Sequence, residues 1–196
     1  MRTLIKDSNG VHEISVEAAV SEKRIIQLNG TIDDAMANDF VARILYYAQQ
    51  DKEKPVKVLI TSGGGEIGAG MVIYDVIQSS PVPLLLFGVG KAYSMGAVLL
   101  TCGQKGKRFL LPHSKMMIHE PLIPYGIGGK SSSIQTISDS LLKTKHEMEK
   151  ILAKHTGKTV EEIAESTKTD HFFTAEEAID FGLVDGVMDF NEIMEA

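Results

Sequence analysis

One pattern constrains the fold of this chain more than any other feature. A short apolar run, a turn that contains glycine and a helix-forming segment follow one another three times between residues 24 and 101. Strands that are joined by helices in this way form a parallel sheet, because a parallel connection needs a long crossover. The sequence therefore predicts an α/β fold with strands at 24–28, 56–61 and 84–89, and with helices opening near Thr31, Ile67 and Ser94.

A much longer helical pattern follows at residues 131–156, and Gly157 provides its stop signal. At 1.5 Å per residue this helix would be about 40 Å long, more than a domain of this size needs to cover its own sheet. We therefore expect part of it to pack on another subunit. Its predicted apolar face consists of Ile134, Ile137, Leu141, Met148, Ile151 and Leu152.

Shorter elements complete the predicted domain. Thr174 and Glu177 form a capping-box pattern that opens a helix closed by Gly182. Residues after Phe190 are expected to fray. The remaining strands are predicted at 108–111, 115–119 and 183–188, with a glycine-rich loop at 125–129.

Composition narrows the class of protein. The chain has 196 residues, 43% of them apolar, and neither a repeat nor a shift in composition divides it, so we expect one domain over residues 1–196. A net charge of −6 argues against nucleic acid as a partner, and no apolar run approaches the roughly 20 residues of a membrane span. Cys102 is the only cysteine, which excludes an intrachain disulfide. The start of the sequence lacks a secretory pattern, and a cytoplasmic location is expected.

Ser94 is the strongest candidate for chemistry. It stands where the third strand feeds directly into an apolar helix, whose N-terminal N–H groups could face a developing oxyanion. A second turn, Gly63 to Gly65, ends the neighbouring strand and could supply another donor, as an acyl-transfer site requires. A plain N-cap serine remains the alternative for Ser94. The glycine turn could also bind phosphate, although the phosphate-loop and dinucleotide patterns are absent.

A serine nucleophile needs a base, and His119 is the best placed of the six histidines. It ends an apolar strand, where an imidazole could face a cleft. His146 and His155 are expected on the polar side of the long helix. Asp170 is a candidate for the orienting carboxylate, although a turn aspartate is the stronger interpretation from the residues alone. No cluster of histidines and acids has the spacing of a metal site, and no cofactor is expected.

Taken in order, four segments resemble the Clp family of self-compartmentalised serine peptidases, which have a crotonase-like fold. The likeness runs from about residue 24 to residue 188. The segments are ITSGGG at 60–65, YSMGA at 93–97, MIHEPL at 117–122 and DHFFTAEEA at 170–178.

This resemblance implies a catalytic triad with Ser94 as nucleophile, His119 as general base and Asp170 as the group that holds the imidazole. It implies an oxyanion hole formed by the backbone N–H groups of Gly65 and Met95. It also implies that an extended substrate pairs as an added strand with a surface formed by Gly64, Gly126, Ile127, Gly128 and Gly129.

The resemblance also implies an assembly and its partners. Members of the family build two stacked heptameric rings around an enclosed chamber, with the region 123–157 acting as a handle between the rings and residues 1–20 near the axial entrance. An AAA+ unfoldase uses ATP and delivers unfolded polypeptides, so the chain itself would bind no ATP.

The chain departs from the family pattern at several positions. Glycine stands at Gly63 where proline is usual, threonine at Thr61 where asparagine is usual, and Glu120 where glutamine is usual. The segment 166–169 lacks the acids and arginine that usually contact the opposite ring. These departures resemble those of a divergent second paralogue, which would work alone or only with a companion ring of another paralogue.

Two alternatives to an active peptidase remain. One is a weakly active or structural ring subunit, which the altered ring contact favours. The other is an acyl-CoA enzyme of the crotonase type, because that fold shares the two-loop oxyanion hole, although Ser94, His119 and Asp170 would then have no joint purpose.

Overall fold

The computed structural model of the chain describes residues 1–7, 10–124 and 126–195. Tyr125, which opens the predicted glycine-rich loop, lies outside the described residues. The strands are β1 (Arg2–Asp7), β2 (Gly10–Ser15), β3 (Ile25–Ile32), β4 (Val56–Gly65), β5 (Leu84–Tyr93), β6 (Arg108–Leu110), β7 (Lys115–Ile118), β8 (His171–Phe173) and β9 (Gly186–Val187). The helices are α1 (Val16–Glu22), α2 (Asp34–Gln50), α3 (Ile67–Ser79), α4 (Met95–Thr101), α5 (Ser131–Thr156), α6 (Val160–Thr167), α7 (Ala175–Phe181) and α8 (Phe190–Glu195).

The predicted α/β fold is confirmed. Strands β3, β4, β5, β6 and β9 pair in that order, and each of these pairings is parallel. Strand β7 also runs parallel to β5, beyond the end of β6, and β8 is antiparallel to β7. The carboxyl half of β5 therefore has β4 on one side and the β7–β8 pair on the other, which gathers several strand ends around the start of α4.

The core lies between this sheet and the helices that pack on it. Its largest fully buried apolar side chains come mainly from β3, β4 and β5 and from α2 to α4, as their apolar periodicity predicts. They include Ile26, Leu28, Ile32, Phe40, Ile44, Tyr47, Ile60, Ile73, Leu86, Phe87 and Leu99.

Three strands are longer than predicted. β3 continues through a register shift between Asn29 and Thr31, so the helix opens at Asp34 with Asp33 as its N-cap. β4 includes the whole glycine turn, because Gly64 and Gly65 pair with Thr31 and Ile32 of β3. β5 likewise runs on to Tyr93. Glycine and polar residues weaken a strand in isolation, but pairing with a neighbouring strand overrides that preference here.

The last part of the chain differs from expectation. The last predicted strand is reduced to Gly186–Val187. The residues after it form α8 rather than fraying, because Ile193 is buried and the Lys57 ammonium donates a 2.9 Å hydrogen bond to the Met194 carbonyl. At the other end, β1 and β2 form an antiparallel hairpin ahead of α1.

The long helix α5 has the predicted bounds, and Gly157 closes it with a φ of 82°. Its buried residues all lie from Met148 onward, whereas Ile134 and Ile137 remain about 40% exposed. The first half of α5 is thus an amphipathic helix whose apolar side chains are only half covered by the chain itself. His155 was wrongly placed on the polar side of this helix: it is half-buried, and its Nε2 lies 3.1 Å from the Tyr74 hydroxyl.

Candidate active site

Ser94 occupies a strained turn between β5 and α4. Its φ is 53° and its ψ is −122°, a conformation that costs a residue other than glycine of the order of 1 to 3 kcal/mol. Bonds on both sides hold it: its N–H donates to the Met117 carbonyl at 2.8 Å, and its carbonyl accepts from Ala97 and Val98 in the first turn of α4. Ser94 is the N-cap residue, but its side chain makes no capping hydrogen bond. A purely capping role is therefore not supported.

The Ser94 hydroxyl is directed at His119 instead. Oγ lies 2.8 Å from the Nε2 atom of His119, a hydrogen bond between residues 25 apart in sequence. Strand β7 creates this contact, because Met117 is aligned with Tyr93 in the parallel pairing and His119 follows one residue after β7 ends. The imidazole is only 17% exposed.

Asp170 lies on the other side of the imidazole. Strand β8 aligns His171 with Ile118, so the residue before β8 comes to lie beside the residue after β7. Asp170 Oδ1 is 3.6 Å from His119 Nδ1, which is within ion-pair distance and longer than a hydrogen bond. Its side chain is 60% exposed. The structure thus joins the three predicted residues in the order serine, imidazole and carboxylate, with a loose contact at the carboxylate.

The glycine segment at the end of β4 packs directly against the serine. Gly64 has a φ of 101°, and a Cβ atom there would lie 2.7 Å from Ser94 Cβ. Ser62 fixes the turn from inside: its hydroxyl donates to the Gly30 carbonyl at 2.5 Å and accepts from the Gly64 N–H at 3.0 Å. This role of Ser62 was not predicted, and only the place of the serine directly before three glycines could have suggested it.

Gly65 and Met95 lie on the two segments that meet at the serine. A Cβ atom at Gly65 would come within 2.1 Å of the Ile32 carbonyl oxygen, so only glycine fits beside β3 there. Met95 is the first residue of α4, where N–H groups have no acceptor within the helix. That these two N–H groups form an oxyanion hole stays a prediction.

The loop part of the predicted substrate surface lies between β7 and α5, whereas Gly64 belongs to β4. Gly126, Ile127, Gly128 and Gly129 are exposed, and none of them is part of a helix or strand. Backbone without a partner in the sheet could accept an added strand. That role also stays a prediction.

Chemically, this arrangement can activate a hydroxyl group. A serine in a strained turn, a largely buried imidazole at hydrogen-bond distance and a carboxylate behind the imidazole are the parts of a nucleophilic triad.

The described residues contain no group of three or more histidines, cysteines, aspartates and glutamates that could hold a metal ion. No helix of the described chain is long and apolar enough to cross a membrane.

Comparison with known proteins identifies the family to which a chain with these residues belongs. The family model of the Clp protease matches residues 8–191. The chain belongs to the Clp protease family. A peptidase subunit is therefore the supported function class, and the acyl-CoA alternative is not favoured.

Two curated members of this family are similar to the chain in amino-acid sequence over most of their length. The ATP-dependent Clp protease proteolytic subunit 2 of Corynebacterium glutamicum is 42% identical over 170 residues, which are 87% of this chain and 84% of the relative. The protein of the same name from Rhodococcus jostii is 41% identical over 174 residues, which are 89% of this chain and 88% of the relative. The similarity to this branch of Clp proteases supports the interpretation of the chain as a paralogue of ClpP.

One further contact beside the imidazole was not predicted. Glu120, the residue after His119, forms an ion pair with Lys145 of α5, and its N–H donates to the Thr167 carbonyl at 2.8 Å. The hydrogen bond to Glu120 raises the pKa of the Lys145 ammonium. Because the partners are 25 residues apart, no local pattern in a Clp protease sequence could have revealed this link between the long helix and the histidine segment.

Proposed function

We propose that the chain is a serine endopeptidase subunit that hydrolyses peptide bonds of unfolded proteins. The observation that carries this proposal is the 2.8 Å contact between Ser94 Oγ and His119 Nε2 at a strained strand-to-helix turn. Such a turn exposes the hydroxyl beside the N-terminus of a helix, where negative charge is favoured.

In the proposed reaction, His119 Nε2 accepts the hydroxyl proton as Ser94 Oγ attacks the peptide carbonyl. The same imidazole then donates that proton to the leaving amine, and a water molecule hydrolyses the acyl-enzyme by the reverse route. Asp170 keeps the Nδ1 proton on the far side of the ring and stabilises the imidazolium that forms. The N–H groups of Gly65 and Met95 would stabilise the tetrahedral oxyanion.

Substrate would bind by its backbone. Gly64 and the segment 126–129 would pair with an extended peptide. Such pairing would tolerate many substrate side chains, because it uses only the backbone N–H and carbonyl groups of the peptide. The chain itself would need no cofactor, since energy from ATP would be used by a partner unfoldase of the AAA+ class.

The proposed assembly is a pair of heptameric rings. The half-covered side chains of Ile134 and Ile137, together with exposed Leu142, lie on the first half of α5. A second subunit that packed there would bury apolar surface, which stabilises association.

A second candidate is a subunit that becomes active only beside a companion ring. The observation that favours it is the 3.6 Å separation of Asp170 from His119, with the carboxylate 60% exposed. Asp170 also follows the segment 166–169, for which the resemblance implies a contact with the opposite ring. A companion ring that covers this segment would shorten the contact and orient the imidazole.

Hydrolysis of a fluorogenic peptide tests the two candidates. Ser94→Ala and His119→Ala should each lower kcat by about 10⁴-fold, whereas Ser79→Ala, which removes an exposed serine of α3, should not change it. Turnover near the wild-type level in Ser94→Ala would contradict the proposal. Activity that appears only after a companion ring is added would favour the second candidate.

A further inference from the structure

A cavity of about 650 Å³ lies at the opposite end of the sheet from the triad. Its wall includes Leu84, the first residue of β5, whereas Ser94 follows the last residue of the same strand. At about 3.3 Å per residue, the two sites are roughly 30 Å apart. The cavity is therefore separate from the chemistry proposed above.

Positive charge dominates the lining of this cavity. Four lysines from three parts of the chain reach it, and Glu53 is its only acid. Lys52 follows α2, Lys105 and Lys107 lie in the turn before β6, and Lys154 is in the last turn of α5. This concentration contrasts with the net charge of −6 over the whole chain.

None of the four lysines forms an ion pair with the part of the chain that the structure describes. The only side-chain partner recorded among them is Gln78, whose Oε1 accepts from Lys154 at 3.4 Å. Four lysines against one glutamate give the lining a net positive charge, which raises the local electrostatic potential and attracts an anion.

His155 also lies in the lining of the cavity, where it is half-buried. Burial, with added repulsion from Lys154 and Arg108, lowers the pKa of His155 to about 4. The imidazole is therefore neutral at pH 7 and adds no charge to the lining, and each of its ring nitrogens can take part in a hydrogen bond.

Part of the lining, here called the apolar wall, is apolar. It consists of Ile77 at the end of α3, the segment from Pro81 to Leu84, and Cys102. The volume falls within the range of 300 to 1,000 Å³ that is typical of small-molecule sites. A ligand that matches both the lysines and the apolar wall has a strongly anionic group and an apolar body.

We propose that this cavity, the lysine cavity, binds a small organic phosphate. The phosphate group would contact Lys105, Lys107 and Lys154, and the apolar part would lie against Ile77 and Val82. Phosphate fits better than a carboxylate because it carries close to two negative charges at neutral pH and offers three acceptor oxygens. The site does not depend on the proposed peptidase activity.

Binding of 1-naphthyl phosphate, followed by its intrinsic fluorescence, tests the proposal on the full chain. We expect saturable binding that is at least tenfold tighter than that of inorganic phosphate, because only the naphthyl compound uses the apolar wall. The double variant Lys105→Glu/Lys154→Glu should weaken binding of 1-naphthyl phosphate at least tenfold. The control Lys23→Glu/Lys143→Glu makes the same change of charge at exposed positions outside the cavity and should bind as the wild type does.

Two results would overturn the proposal. Equal weakening in both double variants would show that binding follows overall charge and needs no cavity. Absence of saturable binding of 1-naphthyl phosphate to the wild type would show that the four lysines do not form a phosphate site.

Discussion

A Cβ atom built on Gly64 would lie 2.7 Å from the Cβ atom of Ser94 and 3.0 Å from its Oγ. The end of β4 is thus in contact with the proposed nucleophile itself, with no room for a side chain between them. The positive φ of 101° at Gly64 adds a second reason for glycine at this position. Two strand ends that are distant in sequence therefore depend on each other for the shape of the site.

The first prediction follows from that contact. Gly64→Ala should lower kcat at least 100-fold, because the new methyl group must displace Ser94 from His119 and also adopts an unfavourable φ. Peptide hydrolysis measures the loss, and circular dichroism should show a folded protein. Gly68→Ala is the matched control, since a Cβ atom there would meet nothing within 4 Å. Equal activity of the two variants would contradict the close contact.

The second prediction concerns the buried ion pair of Arg108 and Asp185. Arg108 is 1% exposed. Its guanidinium donates twice to the carboxylate, at 2.9 and 2.6 Å, and also donates to the carbonyls of Thr101 and His155. Burial opposes ionisation of Asp185, but the hydrogen bonds and charge of Arg108 outweigh it and lower the pKa of the carboxyl. Arg108→Met should cost about 3 to 5 kcal/mol of unfolding free energy, because it removes the opposite charge from a carboxylate that then keeps only the backbone N–H groups at positions 106 and 108.

Urea denaturation measures that cost. The control is Arg43→Met, which removes an exposed i,i+4 pair with Asp39 and should cost no more than about 1 kcal/mol. If the two variants lost the same stability, the Arg108 pair would not be the link between β6, α4 and α5 that the geometry indicates.

The third prediction is a dependence of stability on pH at His155. Burial is the main cause that lowers its pKa, from 6.5 to about 4 in the folded protein. Between these values the unfolded chain binds a proton that the folded chain does not, so stability falls as the pH falls from about 6.5 to 4 and is fully present above that range. Because the imidazole is only half-buried, solvent screening limits the loss to about 1 kcal/mol.

His155→Gln removes this titration and retains a hydrogen-bond partner for Tyr74. The unfolding free energy of the wild type, measured in buffers without phosphate, should decline more steeply than that of the variant between pH 6.5 and 4. Parallel curves would contradict the assigned environment of His155.

Much of this fold could be predicted from local pattern. The start of α3 and both bounds of α5 follow from apolar periodicity and stop signals, and the capping box of Thr174 and Glu177 is present as predicted. The extra length of β4 and the partial burial of His155 could not be predicted, because both depend on residues that are remote in sequence. Pairing with β3 keeps Gly64 and Gly65 in a strand, and packing against Tyr74 covers His155.

The site shows the same division. The turn at Ser94 and the strand end at His119 could be predicted from the residues that flank them in sequence. Their contact depends on the pairing of β5 with β7, and the place of Asp170 on the pairing of β7 with β8, neither of which a local pattern specifies. The resemblance to a known family supplied that long-range information.

The fourth prediction concerns Glu120 and Lys145. Their ion pair ties the residue after His119 to the long helix, so each of Glu120→Gln and Lys145→Met should lower kcat several-fold, with little change in KM. The double variant should lose little more than either single variant, with a coupling energy of about 0.5 to 1 kcal/mol for this partly exposed pair. Independent effects that simply add would show that the pair does not position the histidine.

The most direct test of the central claim is intact-mass analysis after exposure to a fluorophosphonate, followed by peptide mapping. Such a reagent reacts only with a serine that its base and oxyanion donors have activated. The account predicts one adduct per chain, on Ser94, and none in the His119→Ala variant. An adduct on another serine, or no adduct on Ser94 either alone or beside a companion ring, would contradict the proposal that this site is a serine peptidase.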